Sequence, residues 1–309
     1  MNIGYIKIVF LLLSVVVYAN NKALAAEPES GVEALRRFAK RSNARQNATL
    51  IKNTPPSIFS AAIYEQNKNR LCTDYGETQQ AKNLMEKAVA HFLYYAHIRD
   101  PYILFRRYDN DATLYSMKAE DNSNINKLHL KVHNPNKYDE LINTLWNSNI
   151  TKDFGYTFIY EKIARVYDPN LVMVQHRIKN DTLEFQGYFY AFATKVEISQ
   201  DTTAIVYASA NINDHNMLNQ KPCTNVILKE ANSFDGDINS EADIRNGDLA
   251  KLFVNLSGYL IKKNGDHLDL FYINSMRLTD SKAPPFIIDV IDVARYLILI
   301  RLRDKINEE

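Results

Sequence analysis

The chain has 309 residues, with 37 Lys and Arg against 36 Asp and Glu and only two cysteines. So even a charge balance argues against nucleic acid as the main partner, and two cysteines are too few for a disulfide scaffold or a zinc site. Cys72 and Cys223 leave two readings open: one long-range bridge, worth about 4–5 kcal/mol in the chain-entropy model, or two buried thiols.

Lys7 precedes an apolar run over 8–17, then polar Asn20 and Asn21, then Ala23-Leu24-Ala25. Charged start, short apolar core and small-residue end are the order of a secretory signal peptide. Residues 1–26 are therefore expected to be removed, leaving a mature protein outside the cytosol of the cell that makes it. Residues 27–57 carry the basic cluster Arg36, Arg37, Lys40, Arg41 and Arg45 without hydrophobic periodicity, and close on Thr54-Pro55-Pro56. They read as a disordered, solvated linker, and 58–309 as one domain.

Ala81, Leu84, Met85, Ala88, Phe92, Tyr95 and Ala96 fall at helical spacing and predict an amphipathic helix over 78–98, stopped by Asp100-Pro101. Short strands follow at 102–108 and 112–118. Over 127–133, Leu128, Leu130 and Val132 alternate with Lys127, His129, Lys131 and His133, which predicts one buried and one wet face. Asn134-Pro135 then reads as a capping residue with proline at the first helical position, ahead of a short helix burying Tyr138, Leu141, Ile142, Leu145 and Trp146.

Strand-like runs continue at 160–166, 171–178, 184–198, 202–210, 225–230, 249–262 and 267–276, broken by hairpin-like turns such as Asn264-Gly265-Asp266. Consecutive strands with short turns predict an antiparallel sheet, and helices at both ends an α+β fold. Phe185, Tyr188, Phe189, Tyr190 and Phe192 put aromatics on both faces of one strand, so both faces are expected to be covered.

The last stretch, 283–305, predicts a helix opened by Pro284 and Pro285. Ile287, Ile291, Ala294 and Ile298 lie on one face, with Asp289, Asp292, Arg295 and Arg303 on much of the other. Asp289, Asp292 and Arg295 interrupt the run and argue against a membrane span; it reads either as an ordinary core helix or, by its length, as one lying across a domain that curls around it.

The runs KLHLKVHNPNKYDELINTLW (127–146), KIARVYDPNLVMVQHR (162–177), YFYAFATKVEISQDTTAIVYASANINDHN (188–216) and LFVNLSGYLIKKNGDHLDLFYI (252–273), with the leader, closely resemble the fam-a multigene family of rodent malaria parasites. Members of that family carry a START-related lipid-transfer domain. The resemblance implies a helix-grip fold, a curved antiparallel sheet closing around the long C-terminal helix to enclose a lipid tunnel. It also implies an exported carrier of phospholipid, phosphatidylcholine above all; transient contact with membrane surfaces, a monomer, and the parasitophorous vacuole or the host cell as destination are the expectations that go with it.

On that reading the tunnel wall draws on Val174, Tyr188, Tyr190, Phe192, Phe253 and Phe271 from the strands. Ile287, Ile291, Ala294 and Ile298 complete it from a gating helix, with the polar loop 211–221 as a second flap. Phosphatidylcholine-binding START domains meet the headgroup with an Arg-x-x-x-Asp after the second helix. Here Thr151 and Gly155 occupy the charged positions, with Lys152 and Asp153 alongside, so Thr151, Lys152 and Asp153 mark the expected headgroup vicinity.

Such a carrier calls for no catalytic group, cofactor or metal. The sequence has no Gly-x-Ser-x-Gly elbow, His-Glu-x-x-His or Walker loop. Two other classes stand beside the carrier: an exported host-interaction or surface-antigen module with a vestigial tunnel, and a hydrolase or cyclase using the same cavity.

Overall fold

The computed structural model describes residues 56, 58–119, 121–147, 158–218, 223–279, 283–284 and 286–309. The leader, all of the linker but residue 56, and Thr151, Lys152 and Asp153 lie outside the described residues.

Strands β1 (Ile103–Asp109), β2 (Ala112–Lys118) and β3 (Asn124–Val132) form one end of the sheet. Strands β4 (Phe158–Asp168), β5 (Leu171–Asn180), β6 (Phe185–Ser199) and β7 (Thr202–Ala208) form the other. The short strands β8 (Ile212–Asn213) and β9 (Gly236–Asp237) pair with each other in parallel, apart from the main sheet. The long hairpin of β10 (Ala250–Lys263) and β11 (Leu268–Leu278) joins the two ends, in the order β1-β2-β3-β11-β10-β7-β6-β5-β4. Neighbours in that order run antiparallel, both the hairpin-linked pairs and the distant pairs β3–β11 and β7–β10. Register shifts at Val254/Leu256, Ile163/Arg165 and Glu197/Ser199 place bulges in three of the ladders, and bulges bend and twist a sheet.

Helix α1 spans Ile58–Gln66, α2 Tyr75–His97, α3 Tyr138–Trp146, α4 Ala242–Arg245 and α5 Ile287–Glu308. The amide of Glu77 donates to the Asp74 carboxylate at 2.9 Å, which caps α2, and all seven predicted apolar positions of that helix are buried. Helix α2 packs on one face of the sheet, with Phe92, Tyr188, Tyr190, Phe192, Val206 and Leu260 in the same apolar cluster. On the other face α3 and α5 share a cluster with Phe189, Ala191, Tyr207, Tyr259 and Tyr272. The two-sided aromatics of β6 thus serve two separate cores.

Four expectations need correction. Asn134 does not cap α3, because its amide donates instead to the Ile306 carbonyl at 3.5 Å, fastening α3's approach to the end of α5. Residues 225–230 are not a strand: the Asn225 carboxamide oxygen accepts from the amides of Ile227 and Leu228 at 3.0 and 2.7 Å and turns the chain locally. Lys127, expected on a wet face, is buried under α2, where its ammonium donates to the Ile98 carbonyl at 2.7 Å and lies 3.9 Å from the Tyr102 ring. Finally, Asp292 and Arg303 of α5 are buried rather than solvated.

Candidate functional site

Helix α5 runs over the sheet face that carries Tyr207, Tyr259 and Tyr272, and a cavity remains between them. Its walls include Ile291 and Arg295 of α5, Leu145 of α3, His176 and Ile178 of β5, Phe189 of β6, and Tyr259 and Tyr272 of the central hairpin. The free space is ≈ 50 Å³, room for a few waters at roughly 10–15 Å³ each. Aromatic side chains close most of it. Tyr259 stacks on Tyr272 at 5.2 Å, Tyr207 meets Tyr259 edge-on at 6.4 Å, and His176 stacks on Phe189 at 4.6 Å.

Alternation brings these groups together. On β10 and β11, Tyr259 and Tyr272 are direct cross-strand partners, so their rings share a face. Burial pushes both phenols above their ordinary range, so they stay neutral and protonated at physiological pH. His176 is only 5 % exposed, and its Nε2 pairs with Glu161 of β4. Ser257 and Asn274 add a hydroxyl and an amide to the wall. The result is an apolar, aromatic cavity with a few polar groups, the usual composition of a site for a small organic ligand.

The helix is held over this cavity by polar contacts at two levels. Asp292 accepts the amides of Asn126 on β3 at 3.0 Å and Asn274 on β11 at 2.6 Å, and the Tyr296 hydroxyl at 3.3 Å. Burial raises this carboxyl from 3.8 to about 7. About three turns on, Arg303 grips Asp109 of β1 with two hydrogen bonds, at 2.9 and 2.8 Å.

Of the expected wall residues, Ile291 lines the cavity. Val174, Ile287 and Ile298 are buried in the same core but away from it, and Ala294 is partly buried on α5. Tyr188, Tyr190, Phe192 and Phe271 lie on the other face of the sheet, packed toward α2. Phe192 meets Phe234 there at 4.8 Å, and the Tyr188 hydroxyl donates to Asp214 at 2.8 Å. Phe253 is buried with the Arg277 guanidinium 5.1 Å from its ring.

The described part of the expected flap 211–221 is tied down. Asp214 is buried and pairs with Lys251 at 2.8 Å, and the Met217 amide donates to the Arg245 carbonyl at 3.0 Å. Cys72 and Cys223 are both free thiols, Cys72 donating to the Asp74 carbonyl at 3.5 Å. Among the described residues no group of three or more His, Cys, Asp or Glu could hold a metal ion, and no helix is long and apolar enough to cross a membrane.

Arg295 and His176 are the residues that the sequence reading missed. Arg295, expected on the face opposite Ile291, lines the cavity beside it, because residues four apart share a helix face; a cation at that spacing amid apolar positions is costly to bury and so marks a function or a partner.

No family model and no curated protein matches the sequence. Among solved structures the chain is similar to human StAR-related lipid transfer protein 5, with a TM-score of 0.55 at 10% identity over 74% of this chain and 97% of that one. Human STARD10 matches 70% of this chain and 76% of its own at 11% identity, with a TM-score of 0.46. The fold is START-like, a large curved antiparallel sheet with a C-terminal helix.

Proposed function

We propose that this chain is a non-enzymatic lipid carrier, in which the space between α5 and the sheet takes one phospholipid for transfer between membranes. The observation that carries this reading is the aromatic cavity under α5, a helix that packs on the sheet through its apolar side chains and is tied to it by a few polar contacts. The fold's likeness to a protein named for lipid transfer supports it. Sequestration is what such a ligand needs, because each acyl methylene left in water costs about 0.8 kcal/mol.

A diacyl lipid cannot fit ≈ 50 Å³, so loading requires α5 to lift from the sheet. Phosphatidylcholine is the first lipid to test, on the strength of the fam-a resemblance. The signal-peptide pattern of 1–26 supports export, with the parasitophorous vacuole or the host cell as destination, and a monomer suffices for the task.

The test is transfer of fluorescent phosphatidylcholine between vesicles by the protein lacking residues 1–26. The expected result is a transfer rate proportional to protein concentration. No acceleration with any phospholipid would return the chain to the interaction-module reading.

A further inference from the structure

Two groups facing the cavity carry hydrogen-bonding capacity that no described protein atom meets. Arg295 lines the cavity from the middle of α5, and its guanidinium has no hydrogen bond or ion pair among the described residues. His176 Nδ1 is buried without a partner. A guanidinium presents five donors, is always charged and accepts nothing; here Glu161 and the Tyr207, Tyr259 and Tyr272 phenols support its charge at a distance, while its donors make no hydrogen bond within the described protein. Neither nearby acid makes a hydrogen bond or ion pair with it. Glu161, within electrostatic reach of Arg295, pairs with His176, and Asp292 is held by Asn126, Asn274 and Tyr296.

Building on the carrier reading, we infer that Arg295 is the recognition point for an oxyanion borne by the lipid. A phosphate or carboxylate accepts two parallel N–H bonds from a guanidinium, and Tyr207, Tyr259 and Tyr272 leave an apolar surround in which that pair is strong. The ligand class is a phosphate-bearing lipid, and a fatty-acid carboxylate offers the same chemistry from a second source.

The position of Arg295 also couples recognition to closure. The guanidinium belongs to the helix that must move, so the anion bonds to the lid itself. A lipid without an oxyanion enters the same space but draws α5 down less firmly.

The experiment compares wild type, Arg295→Met and Arg295→Lys in the protein lacking residues 1–26. Vesicle transfer of phosphatidylcholine and of diacylglycerol is measured alongside oleate binding and the lipid-free Tm. Arg295→Met should lose phosphatidylcholine transfer by about tenfold or more and keep diacylglycerol transfer within about twofold of wild type, with the lipid-free Tm showing that the variant is folded. Arg295→Lys should retain part of the phospholipid rate. Loss of oleate binding in step with phosphatidylcholine identifies the oxyanion as what is read, while loss of phosphatidylcholine alone narrows the site to phosphate.

An Arg295→Met protein that moves phosphatidylcholine at the wild-type rate, or loses both lipids equally, overturns the inference while leaving the carrier reading intact. Should Arg295→Met fail to fold, the same ratio of the two lipids is read in Arg295→Lys. A wild type that moves neither lipid sinks both readings.

Discussion

Asp292 of α5 accepts the side-chain amide of Asn274 on β11 at 2.6 Å, directly beside the cavity that Asn274 helps to line. One carboxyl thereby ties the covering helix to the floor of the site, and Asn126 of β3 holds its other oxygen at 3.0 Å.

That carboxyl is raised from 3.8 to about 7, mainly by burial. The folded protein therefore holds a proton that the unfolded chain releases, and stability falls as pH rises. The contribution is full below about 3.8 and lost by about 7. Asp292→Asn should flatten the urea-unfolding profile over this window relative to wild type. Parallel profiles for the two proteins would refute it.

The Arg303–Asp109 pair has the opposite sign. Its hydrogen bonds hold the Asp109 carboxyl below its ordinary 3.8, so its contribution is present above that value and lost as acid titrates the folded carboxyl. Asp109 is partly exposed, and solvent screening limits the contact to about 1 kcal/mol. Asp109→Asn should be less stable by that amount at pH 7 and equal to wild type near pH 2. An unchanged Tm at pH 7 would count against this latch.

Gly258 of β10 sits at φ 156°, where a Cβ would lie 2.3 Å from the Ile205 carbonyl oxygen and 3.0 Å from the Phe92 ring. Backbone oxygen cannot yield as a side chain does, so Gly258→Ala should cost about 3 kcal/mol. Equilibrium unfolding measures it, and a loss under about 1 kcal/mol would mean that the strand shifts freely.

Parity along β6 makes a further test. Phe192, fully buried toward α2, should cost about 3–5 kcal/mol as Phe192→Ala, while the ratio of lipids carried by the folded protein stays unchanged. Tyr272→Phe, inside the cavity, should alter that ratio with a stability change under about 1.5 kcal/mol. The reverse assignment of effects would restore Phe192 to the site.

Much of the fold could be read from periodicity. The seven apolar positions of α2, the buried Leu128, Leu130 and Val132 of β3 and the five buried positions of α3 were all plain in the sequence, because periodicity marks the face an element buries. The site was less legible. On β6, Tyr188 and Phe189 are equally apolar, and no alternation tells which face meets α5 and which meets α2 when both are covered. Asp292 and Arg303 looked like a solvated stripe, since charge pattern alone cannot reveal that Asn126, Asn274 and Asp109 wait opposite them at distant positions in the chain. Asn225 shows a third limit: a run of β-forming residues gave way to side-chain bonds that turn the backbone locally.

The central claim is that lipid lies between α5 and the Tyr259–Tyr272 face of the sheet. The most direct test loads the protein with a phospholipid carrying a photoactivatable acyl chain, irradiates it, and maps the adducts by peptide mass spectrometry. Adducts should fall on peptides containing Phe189, Tyr259, Tyr272 and Ile291, at no more than one lipid per chain. Adducts confined to α2, or none above a control protein, would contradict the account.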